Sequence, residues 1–514
     1  MQFEQRLHPA TLLFELAKHA RNLAIPAIFV ILGMSRSTGG PAGSFGGMPA
    51  GWEVWLLVLF VPVTLLSIAR YISFRLRYDE RELVIRTGIF FRNERRIPFS
   101  RIQNVDAVQN LFHRLFGVVE VRIETGGGKE EEARLSVLPH AAFLEMRRHV
   151  FSERSLETER VTTEAPGETL LHLPPRELLL CGILENKGMI LIGAAFGGLW
   201  ESGLLSNVAD LFGAEAAAFG RGYFRDLVRA VSDDGPFPFA RLGLALAAIA
   251  GLLLLVRILS MLWAFMRLYD FRLTRIGEDL RSEYGLFTKV AATVPLRRVQ
   301  ALTISAGPLH RLLKRATVRV ATAGGAGKDK NNQGATQGRE WLAPLIRQEK
   351  LPALLGQVVP GFDFDAVTWQ PVHRRAFARA VKPSLLFSGI VSLVAAFLIG
   401  WASIGVAMAM LLWSLISTRQ YVTYLGWAES DEVVMMRSGW LWRQITLARV
   451  NKIQAVRLHE SPFDRLAAMA GVRVDTAGAG EFAHRVDIPY LDRDIASGLA
   501  ARLATAAAHT TFRW

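Results

Sequence analysis

Two hydrophobic patterns alternate along the chain and predict two kinds of element. Apolar runs occupy Leu23 to Met34, Trp52 to Ala69, Leu178 to Leu205, Leu242 to Met266, Leu385 to Ile399 and Ile404 to Ile416. A helix needs about 20 apolar residues to cross a bilayer core, so these runs read as membrane spans in three pairs. The first is short and needs the amphipathic lead-in Met1 to Ala20 to enter with it. Glu185, Asn186 and Lys187 interrupt the third, which places the start of that span near Gly188 with the triplet at the interface. After each pair the pattern changes to period two. Val119-Glu120-Val121-Arg122-Ile123-Glu124, Val318-Arg319-Val320 and Val472-Arg473-Val474-Asp475 alternate apolar with charged side chains, which marks strands with one face on a core and one in water.

These β-rich stretches are copies of one another. Arg101-Ile102-Gln103-Asn104-Val105 returns as Arg298-Val299-Gln300-Ala301-Leu302 and as Lys452-Ile453-Gln454-Ala455-Val456. Gly88, Gln103, Arg114 and Thr125 keep their mutual spacing at Gly285, Gln300, Arg311 and Thr322, and again at Gly439, Gln454, Arg465 and Thr476, which requires three copies of one module. In the first copy Val108, Leu111, Phe112, Leu115 and Phe116 fall at helical spacing and predict a short amphipathic helix whose apolar face packs on the module. Gly88 and its counterparts suit a tight turn at positive φ. Pro139 starts a helix through Phe143 and Met146 that caps the first module, and Leu351 to Val358 caps the second. The lead-in His8-Pro9 recurs as His172-Leu173-Pro174-Pro175.

The Arg-Ile-Gln-Asn-Val run at Arg101, the Arg-Leu-Phe-Gly run at Arg114 and the Val-x-Ile-x-Thr-Gly-Gly strand end at Val121 together resemble the second family of bacterial pleckstrin-homology-like domains, in its three-copy membrane form. The similarity covers nearly the whole chain. It loosens in the third copy, where Arg449 stands in place of Pro98 and Asp464 in place of His113. The resemblance implies a pleckstrin-homology-like fold for each copy and names no ligand.

Composition and charge set the frame around these modules. The 514 residues are 51% hydrophobic yet include 60 Lys and Arg, with a net charge of +14, so apolar and basic segments are segregated as in a membrane protein. Basic residues crowd the module side of the spans: Arg70, Arg75 and Arg77, then Arg267 and Arg272, then Arg374, Arg375, Arg379 and Lys382, then Arg419. The opposite connections carry Arg36 and a net acidic segment between Ser206 and Arg241. Positive charge marks the cytoplasmic side. The fold expectation is an α+β membrane protein of the cell inner membrane: three transmembrane helical hairpins, six spans in all, each followed by a cytosolic PH-like β-barrel or roll domain with a capping helix. The boundaries are 1–72 for the lead-in helix and hairpin 1, 73–152 for domain 1, 153–168 for a linker, 169–268 for hairpin 2, 269–360 for domain 2, 361–418 for hairpin 3 and 419–514 for domain 3.

Candidate chemistry adds recognition, and no catalysis. Thr322 to Asp329 resembles a phosphate loop, but Thr322 stands where the first Gly belongs and Asp329 replaces the hydroxyl, so it reads as an enlarged turn. The histidines lack metal-ligand spacing. A single cysteine, Cys181, sits among apolar neighbours and reads as a buried, inert thiol. No enzyme, cofactor or metal is expected. The candidate docking residues are Arg101, Gln103 and Arg114, then Arg297, Arg298, Gln300, Arg311, Lys314 and Arg315, then Lys452, Gln454 and Arg465. Near an anionic leaflet each Lys or Arg adds about 1 kcal/mol of attraction. The competing readings are a solvated basic face, and an Arg-x-Gln hydrogen-bond clamp on a loop. Membrane lipids of the anionic leaflet are the expected partners, with a partner protein as the other choice, and no nucleic acid is expected. Two alternatives stay open: a transporter or export component, whose polar lining would be Glu185, Asn186, Lys187 and Arg257, and a membrane-tethered nucleic-acid binder, for which Trp440 and Trp442 would stack bases.

Overall fold

In the computed structural model the period-two stretches are antiparallel strands, and a helix of about one turn follows each Arg/Lys-x-Gln strand. The residues described are 4–5, 8–12, 64–65, 68–69, 71–79, 81–88, 92–125, 133–139, 141–143, 145–146, 150, 167–185, 193, 239–322, 341–476 and 485–509. They divide into two units, one of residues 1–165, 188–219 and 287–291 and one of residues 166–187, 220–286 and 292–514. The first expected span, residues 52–63, 66 and 67 of the second, the third beyond Glu185 except 193, and the 323–329 turn lie outside the described residues.

In the first unit β1 (Glu4–Gln5), β2 (Arg75–Tyr78), β3 (Glu82–Thr87) and β4 (Asn93–Pro98) form a four-stranded antiparallel sheet. A 3-10 turn at Phe99–Arg101 leads to β5 (Ile102–Gln109), α1 (Leu111–Leu115), β6 (Val118–Thr125) and β7 (Ala133–Pro139), paired in the order β7-β6-β5. Alternation does the sorting. Val119, Val121 and Ile123 turn inward to meet Leu76, Leu83, Ile97 and Leu138 in one core, closed by Phe143 and Met146 of the capping segment. At the edge of β5, Lys289, Val290 and Ala291 pair with Gln109, Val108 and Ala107.

The second unit contains β8 (Glu168–His172), α2 (Pro175–Leu184), α3 (Phe239–Leu268), β9 (Arg272–Ile276), β10 (Asp279–Tyr284) and the last residues of β11 (Lys289–Pro295). β12 (Val299–Ala306), α4 (Pro308–Leu312), β13 (Arg315–Thr322), β14 (Trp341–Arg347) and α5 (Leu351–Val358) complete the second module. After β15 (Gln370–Pro371) come α6 (Ala376–Ile399) and α7 (Ser403–Tyr424). The third module is β16 (Gly426–Glu429), β17 (Val433–Ser438), β18 (Arg443–Arg449), β19 (Ile453–His459), α8 (Pro462–Leu466), β20 (Met469–Thr476), β21 (Val486–Asp492) and α9 (Arg493–His509). β12 pairs with β18 from Ala301 opposite Ala448 to Ala306 opposite Arg443, so one seven-stranded sheet runs β14-β13-β12-β18-β17-β16-β15 through two modules. Gln109 with Lys289 in the first unit is the repeat equivalent of Ala306 with Arg443, so the same register occurs twice. The lead-ins add strands that spacing did not predict: β1, β8 and β15 each hydrogen-bond to the first long strand of a module. Ala496, Leu499 and Leu503, at helical spacing on α9, are buried on the third core.

The apolar helices divide into two kinds. α2 stops at Glu185, which is extended, and buries Leu178 and Cys181, so the run beginning at Leu178 is not a continuous span but starts as a helix docked on its module. It meets α3 closely: a Cβ on Gly182 would stand 2.4 Å from Met261 Cα. Arg257, which the transporter alternative places in a polar lining, donates to the Ile183 carbonyl at 2.7 Å, among the carbonyls that end α2. α6 and α7 pack as a hairpin, with Ser384 and Ser388 bonded to Ser414 between them, the small polar contacts that hold helices together in lipid. Among the described residues 246–268 and 376–397 are long and apolar enough to cross a bilayer, and only 12% and 11% of their most apolar stretches are buried by protein. Faces that apolar and that bare call for lipid.

One backbone position recurs under strain. After each short helix the chain enters the left-handed region, at Gly117 (φ 64°), Lys314 (φ 51°) and Ala468 (φ 55°). That conformation costs an L-residue about 1–2 kcal/mol, of which glycine's extra chain entropy returns roughly 0.5–1 kcal/mol. Ala468→Gly is therefore expected to stabilise the third module by about 0.5–1 kcal/mol, read as slower hydrogen exchange through β20. Faster exchange would show that Ala468 is unstrained.

Candidate docking surface

Two of the short helices, α1 and α8, are anchored through their polar sides. In α1 the Asn110 amide donates to His113 Nδ1 at 3.2 Å; in α8 the Ser461 amide donates to Asp464 Oδ2 at 3.0 Å. The exchange of His for Asp thus keeps the cap. Burial holds the imidazoles of His113 and His310 below the usual histidine range. Burial also pushes the Asp464 carboxyl upward, but hydrogen bonds from Ser461 and Arg379 outweigh it and hold the group below the usual range.

With that side tied down, the apolar side faces out. Leu115 is 78% exposed, its equivalents Leu312 and Leu466 are 77% and 86% exposed, and Phe112, Leu309 and Phe463 are exposed beside them. This corrects the expectation that the apolar face packs on the module. A five-residue helix has too few turns to bury two faces, and in α1 and α8 the capping box occupies one of them. Arg114, Lys314 and Arg465 stand exposed at these tips.

In the second unit a tryptophan turn joins the α4 tip. Between β17 and β18 the chain turns at Gly439 (φ 95°) and presents Trp440, Leu441 and Trp442. The Trp440 ring lies 5.2 Å from that of Trp413 on α7, so it packs on a helix of the hairpin. Trp442 is exposed and lies against Gly307 at the start of α4, while Arg311 Nη2 donates to the Leu441 carbonyl at 3.2 Å. Tryptophan with one apolar and one wet side belongs at the headgroup level of a bilayer.

The remaining predicted residues separate into three sets. Arg101 and Arg297 are exposed on equivalent 3-10 turns, and Arg298 and Lys452 are half-buried. Burial, then Arg449 and Arg297, holds the Lys452 ammonium below its usual range, and Arg449 Nη1 donates to the Leu296 carbonyl at 3.1 Å; with Arg298, itself beside Arg297, these make four cations in one place. Gln300 is buried and its amide reaches the Arg298 carbonyl at 3.5 Å, a local clamp; Gln454 is exposed, and the Gln103 side chain lies outside the described residues. Arg315 is a structural residue. Its Nη2 and Nε grip both oxygens of Glu177 on α2, at 2.8 and 3.1 Å, so it is not spare for docking. Spacing left Tyr424 and Arg437 unmarked, because only the β12 to β18 pairing brings them beside Arg311 and Arg443. The Arg443 guanidinium lies 4.3 Å over the Tyr424 ring, and that of Arg437 lies 5.4 Å from Tyr424 and 5.0 Å over Trp369.

The sequence profile described as "Bacterial PH domain" matches residues 23–154, 233–358 and 376–507. Each match opens in or just ahead of an apolar stretch, and the second and third close on capping helices. The chain is 24% identical over 474 residues to the transmembrane protein YdbT of Bacillus subtilis (strain 168), covering 90% of this chain and 91% of that protein. No solved structure matches.

Proposed function

Because the chain belongs to the bacterial PH domain family, carried in three copies by a membrane protein, we propose that it is a non-enzymatic inner-membrane protein that docks these domains onto the anionic cytosolic leaflet. The single observation that carries this reading is the recurrence of an exposed leucine at Leu115, Leu312 and Leu466, each beside exposed basic residues, in domains tethered to apolar helices. One such tip would be an ordinary surface leucine; three at one repeat position form a pattern. Apolar insertion combined with attraction of Arg and Lys to headgroups is how peripheral surfaces hold a bilayer. Six spans in three hairpins, with each module on the cytosolic side, suit this role. The transporter reading loses Arg257 to the end of α2, and the nucleic-acid reading loses Trp440 to Trp413.

Reporter fusions test the orientation. Fusions at Gly43 and Gly213 are expected to report the outside, and those at Glu131, Gln333 and Gly480 the cytosol. A cytosolic signal at Gly213 would remove the second hairpin and with it the placement of the modules.

A further inference from the structure

A cleft of about 370 Å³ opens beside the seam where β12 meets β18. Arg311, Arg443, Tyr424 and Gln348 line one part of it, and apolar residues of β12, α5 and Phe364 line the rest. Asp365 is exposed among the lining residues, its amide bonded to Asp363. The arginines are only partly satisfied. Arg311 directs one Nη to Leu441, yet its Nε, like those of Arg443 and Arg437, is buried without a hydrogen-bond partner. Buried donors are almost always paired, so three arginines with an unpaired Nε gathered around one tyrosine leave donor capacity to spare beside the cleft. The constellation is not a general feature of the repeat: at the equivalent sequence positions stand Asp270 for Tyr424, Glu283 for Arg437 and Lys289 for Arg443.

We propose that this cleft binds the phosphate of an anionic lipid, with Arg311 and Arg443 as forked donors and the apolar wall against the glycerol and first acyl carbons. Guanidinium matches phosphate oxygens two at a time, and stacking on Tyr424 holds the Arg443 fork in place. A lipid is favoured over a free anion by the apolar wall and by position. Tyr424 ends α7 of the apolar hairpin, and the Arg311 bond to Leu441 ties the cleft to the tryptophan turn. The inference deepens the docking function and rests on it for the nearness of the membrane.

The test is titration of the full chain in non-ionic detergent with dioctanoyl phosphatidic acid, dioctanoylglycerol and inorganic phosphate. The acid is expected to bind, dioctanoylglycerol to bind at least thirtyfold more weakly, and inorganic phosphate to compete only at concentrations at least a hundredfold higher. Arg311→Gln with Arg443→Gln is expected to weaken the acid at least thirtyfold, whereas Arg502→Gln, on α9 outside the cleft and paired with Glu429, changes it less than threefold. Inorganic phosphate binding as tightly as the acid would overturn the lipid assignment in favour of a soluble phosphate. Equal binding of the acid and dioctanoylglycerol would overturn the phosphate site, and that comparison needs no variant to fold. Unchanged affinity in the cleft variant would overturn it equally. Without a bilayer present, a negative titration leaves docking of the helix tips standing, and failure of those tips to insert leaves a positive titration standing.

Discussion

Gly439→Ala is expected to dismantle the turn that carries Trp440 and Trp442. A Cβ at that position would stand 1.9 Å from the Trp442 carbonyl oxygen and 2.9 Å from its carbon, and both are backbone atoms that no rotamer change moves aside. The φ of 95° adds strain for any L-side chain. Together these effects are expected to cost about 3 kcal/mol or more, at the upper end for a single substitution. The hairpin must open to relieve the clash, which draws Trp440 off Trp413 and frees Arg311 from Leu441. Hydrogen exchange across β17 and β18 should accelerate accordingly. Gly277→Ala is the control: its φ is 60° but open space surrounds it, so about 1–2 kcal/mol of backbone strain is all it should show. Equal losses in the two variants would mean that the turn has room to adjust.

Glu177→Ala should do comparable damage by a different route. Glu177 and Arg315 retain only 13% and 16% of their side-chain exposure, and the pair joins α2 to β13. Removing the carboxylate strands a mostly buried guanidinium, for which a cost of about 2–3 kcal/mol is reasonable after allowing for its residual contact with water. Cys181 beside Pro344 would loosen with the same helix and become open to thiol reagents. Pairing Glu177→Met with Arg315→Met removes both charges together and is expected to lose less than Glu177→Ala alone. A double variant weaker than the single one would contradict the pairing. Arg315 therefore cannot be mutated as a docking residue without disturbing the fold.

The elements that the sequence announced are those where a periodic pattern has one physical cause. Alternation in Val119 to Glu124 requires a two-faced strand, and β6 buries Val119, Val121 and Ile123. The recurring glycine requires a left-handed turn, and Gly88, Gly285 and Gly439 have φ of 96°, 115° and 95°. Other features leave no such mark. A strand's pattern says which face is buried but is silent on which edge it pairs, so the joining of β12 to β18 was hidden. Helical spacing in Leu111 to Phe116 marks an apolar face without saying what covers it, and here Phe112, Leu115 and Phe116 are left bare. Charge in a repeat motif likewise fails to separate Arg114, exposed on its tip, from Arg315, clamped to Glu177 a long way back in the chain. The edge strands β1 and β15 are too short to show a period.

Membrane docking is tested most directly by the depth of the three helix tips. Spin labels at Leu115→Cys, Leu312→Cys and Leu466→Cys, one per protein in liposomes containing anionic lipid, report that depth by their accessibility to oxygen against a water-soluble nickel chelate; buried Cys181 stays unlabelled. All three labels should favour oxygen and lie about 5–10 Å below the headgroup boundary. The preference should weaken in neutral liposomes and in high salt, where screening shortens the reach of the arginines to about 3 Å at 1 M. Three labels open to the nickel chelate, alike in anionic and neutral liposomes, would contradict docking and leave the tips as surfaces for another protein.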